Sequence, residues 1–548
     1  MTASSTRLLP IAQRAGLRLA GWAQAVRPTL LAFVLALNAV LVGCAGLPAN
    51  VQRPVSQARA DVTDTHLAAI AAASLPAAAD GQRSGLRLLP AGDHAFEARI
   101  ALARAAQKSI DAQYYEIADD VSGRQFLRAL ADAAARGVRV RLLVDDLHAA
   151  GEDALLAGLA ARPNVELRMF NPLAVRSGGV AQRVLRSVNE FSRINRRMHN
   201  KLFLADNQFA ITGGRNVADE YFDRSGSDNF IDMDLLAAGP AVRALSDVFD
   251  GYWNSEHAYP IQSLVAESLT PEQARRHFDA AVQQSEVTDF PVTAKDLLGQ
   301  TSLATQLATG RVELHVAAVR VLADAPSKAD VDVQQLNDGA VMTGKLELVQ
   351  SARNEVLLAS PYFVPGRRTL DVLKQVTDSR VRVSVMTNSL ATTDEPLVHA
   401  GYARYRTALL GMGVALFELM PGSNGDAKAA AVGERHGSLG RLHAKAAVVD
   451  GRWLYIGSMN MDRRSAHSNT EMGLIVDSPE LAGQLASLLR GDRRPPAYEV
   501  RSANGGHGLQ WIAKDGAESI VYAQEPNRRW GAQLRLSLVS AFVDEELL

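Results

Sequence analysis

The chain is nearly devoid of cysteine: Cys44 is the only one in 548 residues. An intramolecular disulfide is therefore impossible, and thiolate clusters of the zinc or iron–sulfur kind are excluded. Aromatic residues make up only 6%, and formal net charge is −1. Residues 1–43 hold four arginines and no acid, so residues 44–548 carry −5, the total of −1 less those four positive charges. A mildly acidic body argues against broad, sequence-independent nucleic-acid binding, which relies on a basic surface, and no nucleic-acid partner is expected. Long hydrophobic runs are scarce too. The run Thr29–Val42, interrupted by Asn38, is too short for a comfortable membrane span. The rest is an ordinary globular composition, 47% hydrophobic and 21% charged, with length enough for about three domains.

The N-terminus reads as an export signal, because basic residues precede an apolar run that ends in small residues. Leu41-Val42-Gly43-Cys44 resembles the bacterial lipobox. That resemblance implies cleavage after residue 43, acylation of Cys44, and a protein held at the membrane on the periplasmic side of a bacterial cell envelope. Residues 44–80, rich in Ala, Pro, Gln and Ser, read as a tether.

From about Leu86 short apolar strands alternate with amphipathic helices, which predicts an α/β layered sheet. The order then repeats. Ala106-Gln-Lys-Ser-Ile110 corresponds to Ala352-Arg-Asn-Glu-Val356, and Gly137–Val144 to Ser379–Val385. The expected organisation is a first domain over 81–258, a connector over 259–315, a second domain over 316–495 and a tail over 496–548. Within the tail, Trp511 to Tyr522 reads as a hairpin.

The repeat carries the chemistry. His199, Lys201 and Asp206 fall at offsets 0, +2 and +7, followed by Gly213-Gly214 and Asn216. His443, Lys445 and Asp450 fall at the same offsets, followed by Gly457-Ser458 and Asn460. A His and a Lys two apart on a strand share one face. Two such edges brought together would gather two imidazoles, two ammonium groups and two amides around one pocket. Such a pocket suits a phosphodiester, whose negative charge grows during attack. Matching Phe230–Leu235 with Asn469–Leu474 sets Asp232 opposite Glu471, and each acid is expected near the histidine of its own half, where it would fix the ring tautomer. Asp206 and Asp450 belong to the motif but lie at the far end of its strand, so support suits them better than catalysis.

These residues resemble the phospholipase D superfamily over about residues 85–490. Arg196–Lys201, Gly213–Asn216, Asp219–Phe222, Ser360–Pro365 and Glu525-Pro526 resemble, more narrowly, bacterial cardiolipin synthases of the C type. The resemblance implies two α/β/α sandwich domains related by a pseudo-two-fold axis, with the active site between them. It further implies a reaction without metal or other cofactor that passes through a phosphohistidine, with phospholipid substrates. His199 would attack phosphorus and His443 would serve the leaving and incoming alcohols, although the near-symmetric sequence leaves open which histidine attacks. Lys201, Lys445, Asn216 and Asn460 would hold the phosphoryl oxygens, with Gly214 and Ser458 beside them.

A basic stretch precedes the first motif: Arg176, Arg183, Arg186, Arg193, Arg196 and Arg197 against Glu190. Its earlier part reads equally as a solvated face, while Arg196 and Arg197 are expected to steer anionic headgroups. Tyr362 and Phe363 read either as the site mouth or as core. Phosphatidyl transfer leads the functional readings. A nuclease or other phosphodiesterase is the alternative, and a lipoprotein scaffold with a vestigial site is a distant third.

Overall fold

The computed structural model describes residues 46–75, 82–421 and 439–526, apart from short internal segments of which 184–189, 285–291 and 331–338 are the longest. The export segment and Cys44 lie outside the described residues. Among the described residues no helix is long and apolar enough to cross a membrane.

The first half contains strands β1 (Ser84–Leu89), β2 (Ser109–Tyr114), β3 (Arg139–Asp145), β4 (Val165–Phe170), β5 (Leu202–Ala205), β6 (Phe209–Gly213), β7 (Asp228–Ile231), β8 (Asp234–Ala238) and β9 (Ala258–Pro260). The second contains β10 (His315–Ala323), β11 (Glu355–Ala359), β12 (Arg382–Asn388), β13 (Ala415–Leu419), β14 (Leu439–Leu442), β15 (Ala446–Val449), β16 (Trp453–Gly457), β17 (Met472–Asp477), β18 (Ala497–Ser502), β19 (Leu509–Asp515) and β20 (Glu518–Tyr522).

The first sheet runs β1-β8-β6-β5-β2-β3-β4-β9, with β2, β3 and β4 mutually parallel. The second runs β10-β17-β16-β15-β11-β12-β13-β18, with β11, β12 and β13 parallel. The two orders correspond strand for strand. β1 and β10 pair antiparallel at Ser84–Leu86, joining the sheets edge to edge. The helices Gly92–Ala105, Val121–Ala135 and Asp153–Ala160 cover one face of the first sheet, and Pro240–Trp253 covers the other. Both faces of β2 and β3 are consequently buried, as expected for parallel strands. Local signals set the element ends. Asp120 caps the helix Val121–Ala135 by accepting from Gly123 N at 2.8 Å, and Gly137, at φ +95°, lets the chain leave it for β3.

A central apolar core joins the halves, gathering Leu202, Leu204 and Trp253 from the first with Leu357, Ala446 and Leu474 from the second. The outer faces have their own cores.

Two boundary expectations change. Residues 46–75 are not a free tether. Ser56 N donates to Asn254 Oδ1 (3.1 Å), Ala58 N to Asp250 Oδ2 (2.8 Å), and the buried Arg141 reaches Ser56 O (3.0 Å). The helix His66–Ser74 buries Leu67 and Ile70 in the first core. An extended segment beside buried arginines is held because its carbonyls answer guanidinium groups that water cannot reach. The connector likewise packs on the first domain, with Ala274 and Phe278 of the helix Pro271–Gln284 in that core. The tail hairpin is β19–β20, which extends the second sheet through β18. Glu525 closes it down by accepting from Arg406 and pairing with His399 Nε2 at 2.7 Å.

Candidate active site

Each motif sits just ahead of a buried strand, His199 and Lys201 before β5 and His443 and Lys445 before β15. The residues around each histidine are occupied in pairing with the other half. Met198 bridges Thr470, and His199 N donates to Thr470 O at 2.9 Å. Symmetrically, β14 runs parallel to β7, and His443 N donates to Ile231 O at 2.8 Å. Both exchanges cross the pseudo-two-fold axis and bring the two histidines to one place.

The crossing corrects the expected acid assignment. Glu471 holds His199, with Nδ1 3.0 and 3.1 Å from its carboxylate oxygens. Asp232 holds His443, with Nδ1 2.6 Å from Oδ2. Each histidine is therefore oriented by the opposite half, because the backbone ahead of each acid is the strand partner of the other half's motif. With Nδ1 held by a carboxylate, Nε2 is left to react. His199 and His443 are buried, 8% and 6% exposed.

The two pairs differ electrostatically. Burial would raise Asp232, but His443, Lys445 and Arg215 outweigh it and hold the carboxyl at about 2. Burial pushes Glu471 up to about 7, with Lys201 and the Ser458 hydroxyl opposing only in part. His199 lies well below its ordinary value through burial and then the nearby Lys201 and Lys445, and His443 is lowered by burial too. Gly214 leaves room for Asp232, since a Cβ there would stand 2.1 Å from Oδ1. Ser458, its counterpart, fills that room and donates its hydroxyl to Glu471.

Lys201 and Lys445 each turn back on the carbonyl of their own histidine, at 2.7 and 2.6 Å. Each keeps ammonium protons for an anion, and burial draws them down to about 7 and about 8. Asn216 donates to Tyr221 OH at 2.9 Å, while its Oδ1 and that of Asn460 are buried without a partner. Amide oxygen and nitrogen exchange by a simple flip, which would turn NH2 groups toward phosphoryl oxygens.

Asp206 and Asp450 do not reach this cluster. Asp206 accepts from the backbone N–H of Gln107, Lys108 and Ser109, the last two at 2.7 and 3.0 Å. Asp450 accepts from Arg353, Asn354 and Glu355 at 2.8, 2.7 and 2.9 Å. Both sit at positive φ just past their strand and anchor the start of the neighbouring β2 or β11.

The headgroup-steering expectation for Arg196 and Arg197 fails. Arg196 is 3% exposed and donates to Ser192 O and Lys328 O. Arg197 is fully buried, ion-paired to Asp145 at 3.1 Å and bonded to Asn171 O. Guanidinium groups so buried must be paired internally and are spent as scaffold. Arg176 and Arg183 pair with Asp146 and Asp153 instead of forming a solvated face, and Arg186 lies outside the described residues. Phe363 belongs to the second core, while Tyr362 is half-buried with its hydroxyl on Asp394 at 2.6 Å.

Aromatic neighbours of the two histidines were given no role in the sequence, although Tyr221 and Phe230 lie inside the runs Asp219–Phe222 and Phe230–Leu235. Tyr115 packs edge-on to His199 with ring centres 5.0 Å apart, and its hydroxyl meets His148 Nε2 at 2.9 Å. Tyr221 and Phe230 pack on His443 at 5.0 and 4.8 Å. The aromatics after Gly213-Gly-Arg-Asn216 and after β2 were the available cue, and such residues are usually core.

The family model described as cardiolipin synthase, PLD-like domain, matches residues 100–253 and again 346–492. The chain belongs to this phospholipase D-like family. It is 34% identical over 455 residues to cardiolipin synthase C of Escherichia coli K12, covering 83% of this chain and 94% of that one. A cardiolipin synthase of Staphylococcus aureus Mu50 is 27% identical over 80% of this chain and 72% of its own. Among solved structures, phosphatidylserine synthase of Haemophilus influenzae Rd KW20 superposes with a TM-score of 0.52 at 14% identity, covering 84% of this chain and 92% of that one. That likeness shows a shared fold. This member of the family is an enzyme with both sets of motif side chains in place.

Proposed function

We propose that the protein transfers phosphatidyl groups between phospholipids and makes cardiolipin, with the hydroxyl of phosphatidylglycerol as acceptor. The observation that carries this is the crossed pair of histidines, His199 on Glu471 and His443 on Asp232, each with a buried lysine, Lys201 or Lys445, turned onto its own carbonyl. In the first step Nε2 of His199 attacks phosphorus. The P–O bond to the headgroup alcohol breaks, and His443 delivers its proton to the departing oxygen. In the second step the acceptor hydroxyl loses its proton to His443 and attacks the phosphohistidine, restoring free His199. Water in the acceptor's place would give phosphatidic acid. The roles follow the difference between the two pairs: His199, held well below its ordinary value, starts neutral and nucleophilic, while at His443, itself lowered by burial, the firmly ionised Asp232 opposes loss of the proton that the acid role requires. Lys201, Lys445 and the flipped amides of Asn216 and Asn460 would neutralise charge on the non-bridging oxygens. Lipidation at Cys44, which the lipobox-like run supports, would hold this site against its substrate.

The test incubates the mature protein with labelled phosphatidylglycerol and phosphatidylethanolamine vesicles, and separately with single-stranded DNA. Cardiolipin with intact DNA is expected. Cleaved DNA with untouched lipid would overturn the reading in favour of a nuclease. Acid-labile label on the protein should survive in His443→Ala and be absent from His199→Ala; the reverse pattern would exchange the two roles.

A further inference from the structure

The two halves match closely enough for their differences to be informative. In the repeat register, Arg99 corresponds to Lys345, Arg215 to Met459 and Asp234 to Gly473. The pairings agree, since Gly213 stands opposite Asp234 and Gly457 opposite Gly473. In the first half two cations share one acid. Arg99 donates to Asp234 at 2.9 Å and to Tyr114 OH at 2.9 Å, and Arg215 lies 3.5 Å from the same carboxylate. The second half keeps a cation and has no acid there. Lys345, on the helix Ala340–Gln350, is fully buried, and Gly473 in place of Asp234 offers it nothing. The ring of Tyr455 fills the space a side chain at Gly473 would need, 2.6 Å from that Cβ position. Lys345 Nζ donates to Met459 O at 3.2 Å and stands 4.7 Å from the Tyr455 ring centre.

A buried ammonium group without a carboxylate partner is costly, and one carbonyl and the Tyr455 ring offset it only in part. Its position does have a use. Met459 lies between Ser458, which donates to Glu471, and Asn460. The charges that Lys345 feels are the acids Glu471 and Asp462 and the cation Lys445. Glu471 in turn faces Lys201 and Lys328, with Asp324 paired to Lys328 at 2.7 Å behind it. On the outer side of the helix, Glu347 pairs with Arg320 in solvent. Resting on the mechanism proposed above, we propose that Lys345 is a positioning residue of the active site, an internal cation acting on the Glu471–His199 pair from behind the Ser458–Asn460 turn. Removing a cation from beside that pair makes it bind its proton at a higher pH, whichever partner carries the proton. Burial, the largest influence, draws Lys345 down to about 7, so its charge is present below that pH, where protonation of the pair ends activity.

The test is the pH profile of kcat/KM for hydrolysis of bis(4-nitrophenyl) phosphate by the full-length protein, whose good leaving group needs no acid. In Lys345→Met the acid limb should move up by about one pH unit, roughly tenfold in rate below the limb, with KM unchanged. Lys345→Arg keeps the charge and should keep the wild-type limb. An unmoved limb in Lys345→Met, or an equal shift in both variants, would overturn the inference and leave Lys345 as packing. Should Lys345→Met fail to fold, Lys345→Gln, which can still donate to Met459 O, is judged by the same limb. A wild type with no turnover on this diester or on lipid overturns the proposed reaction itself; an active wild type with an unmoved limb overturns only the role of Lys345.

Discussion

Asp232→Asn is the most discriminating single change, because it removes one charge across the domain interface and almost nothing else. Asp232 is buried, with Oδ2 2.6 Å from His443 Nδ1 and Oδ1 accepting from Met233 N at 2.7 Å. Asparagine can retain one of these bonds and the shape. What it loses is the charge that stabilises protonated His443, since burial and Lys445 lower that histidine while Asp232 opposes them. A hydrogen bond to a charged group is worth about 1.5–3 kcal/mol, which corresponds to a rate loss of roughly 10- to 150-fold. The loss should appear only where a proton must be delivered. With phosphatidylglycerol, whose leaving group is an alkoxide, the full loss is expected; with bis(4-nitrophenyl) phosphate, little. The pH effect has a definite sign as well. A His443 deprived of its carboxylate gives up its proton at lower pH, so the alkaline limb on lipid moves down. If both substrates lose rate equally, Asp232 serves the attacking histidine, and the crossed assignment of acids is wrong in function.

Other outcomes rest on particular contacts. Asp206→Ala strips the acceptor from three backbone N–H groups and should cost about 2–4 kcal/mol in urea unfolding, with kcat of the folded fraction retained; lost activity at unchanged stability would make Asp206 catalytic after all. Gly214→Ala drives a Cβ to 2.1 Å from Asp232 Oδ1 and should lower kcat on lipid by more than about tenfold, because small displacements at a reacting group are costly. Gly251→Ala, on an exposed helix position with nothing within 4 Å, should instead raise stability by about 0.5–1 kcal/mol and leave kcat alone, which controls for glycine replacement as such. Prolonged dialysis against a chelator should leave turnover unchanged, and loss restored by a divalent ion would contradict the proposed mechanism.

Much of this site was legible in residue spacing. The offsets of His199, Lys201 and Asn216 against His443, Lys445 and Asn460 announce two copies of one device, and period-two alternation puts each His and Lys on a common face. The strand–helix alternation announces the layered α/β halves, and the two sheets correspond strand for strand. That Asp206 and Asp450 lie away from the histidines was readable because seven residues of extended chain carry a side chain far from its starting point.

Other features depend on partners distant in sequence. Arg196 and Arg197 look like a headgroup-binding pair in the chain and are scaffold in the fold, since Asp145 and Lys328 O lie 52 and 132 residues away. The segment around Ser56 has the composition of a tether and is docked, because its carbonyls meet Arg141 across 85 residues. Lys345 looks like any helix lysine until burial removes its water. Sequence alone therefore determined that two matched sets of candidate groups are present, since spacing along a strand is a local property. Only the tertiary structure decided which acid serves which histidine. The halves exchange backbone pairings at Met198–Thr470 and Ile231–Leu442, and hydrogen bonds between segments more than 200 residues apart leave no periodic trace in either one.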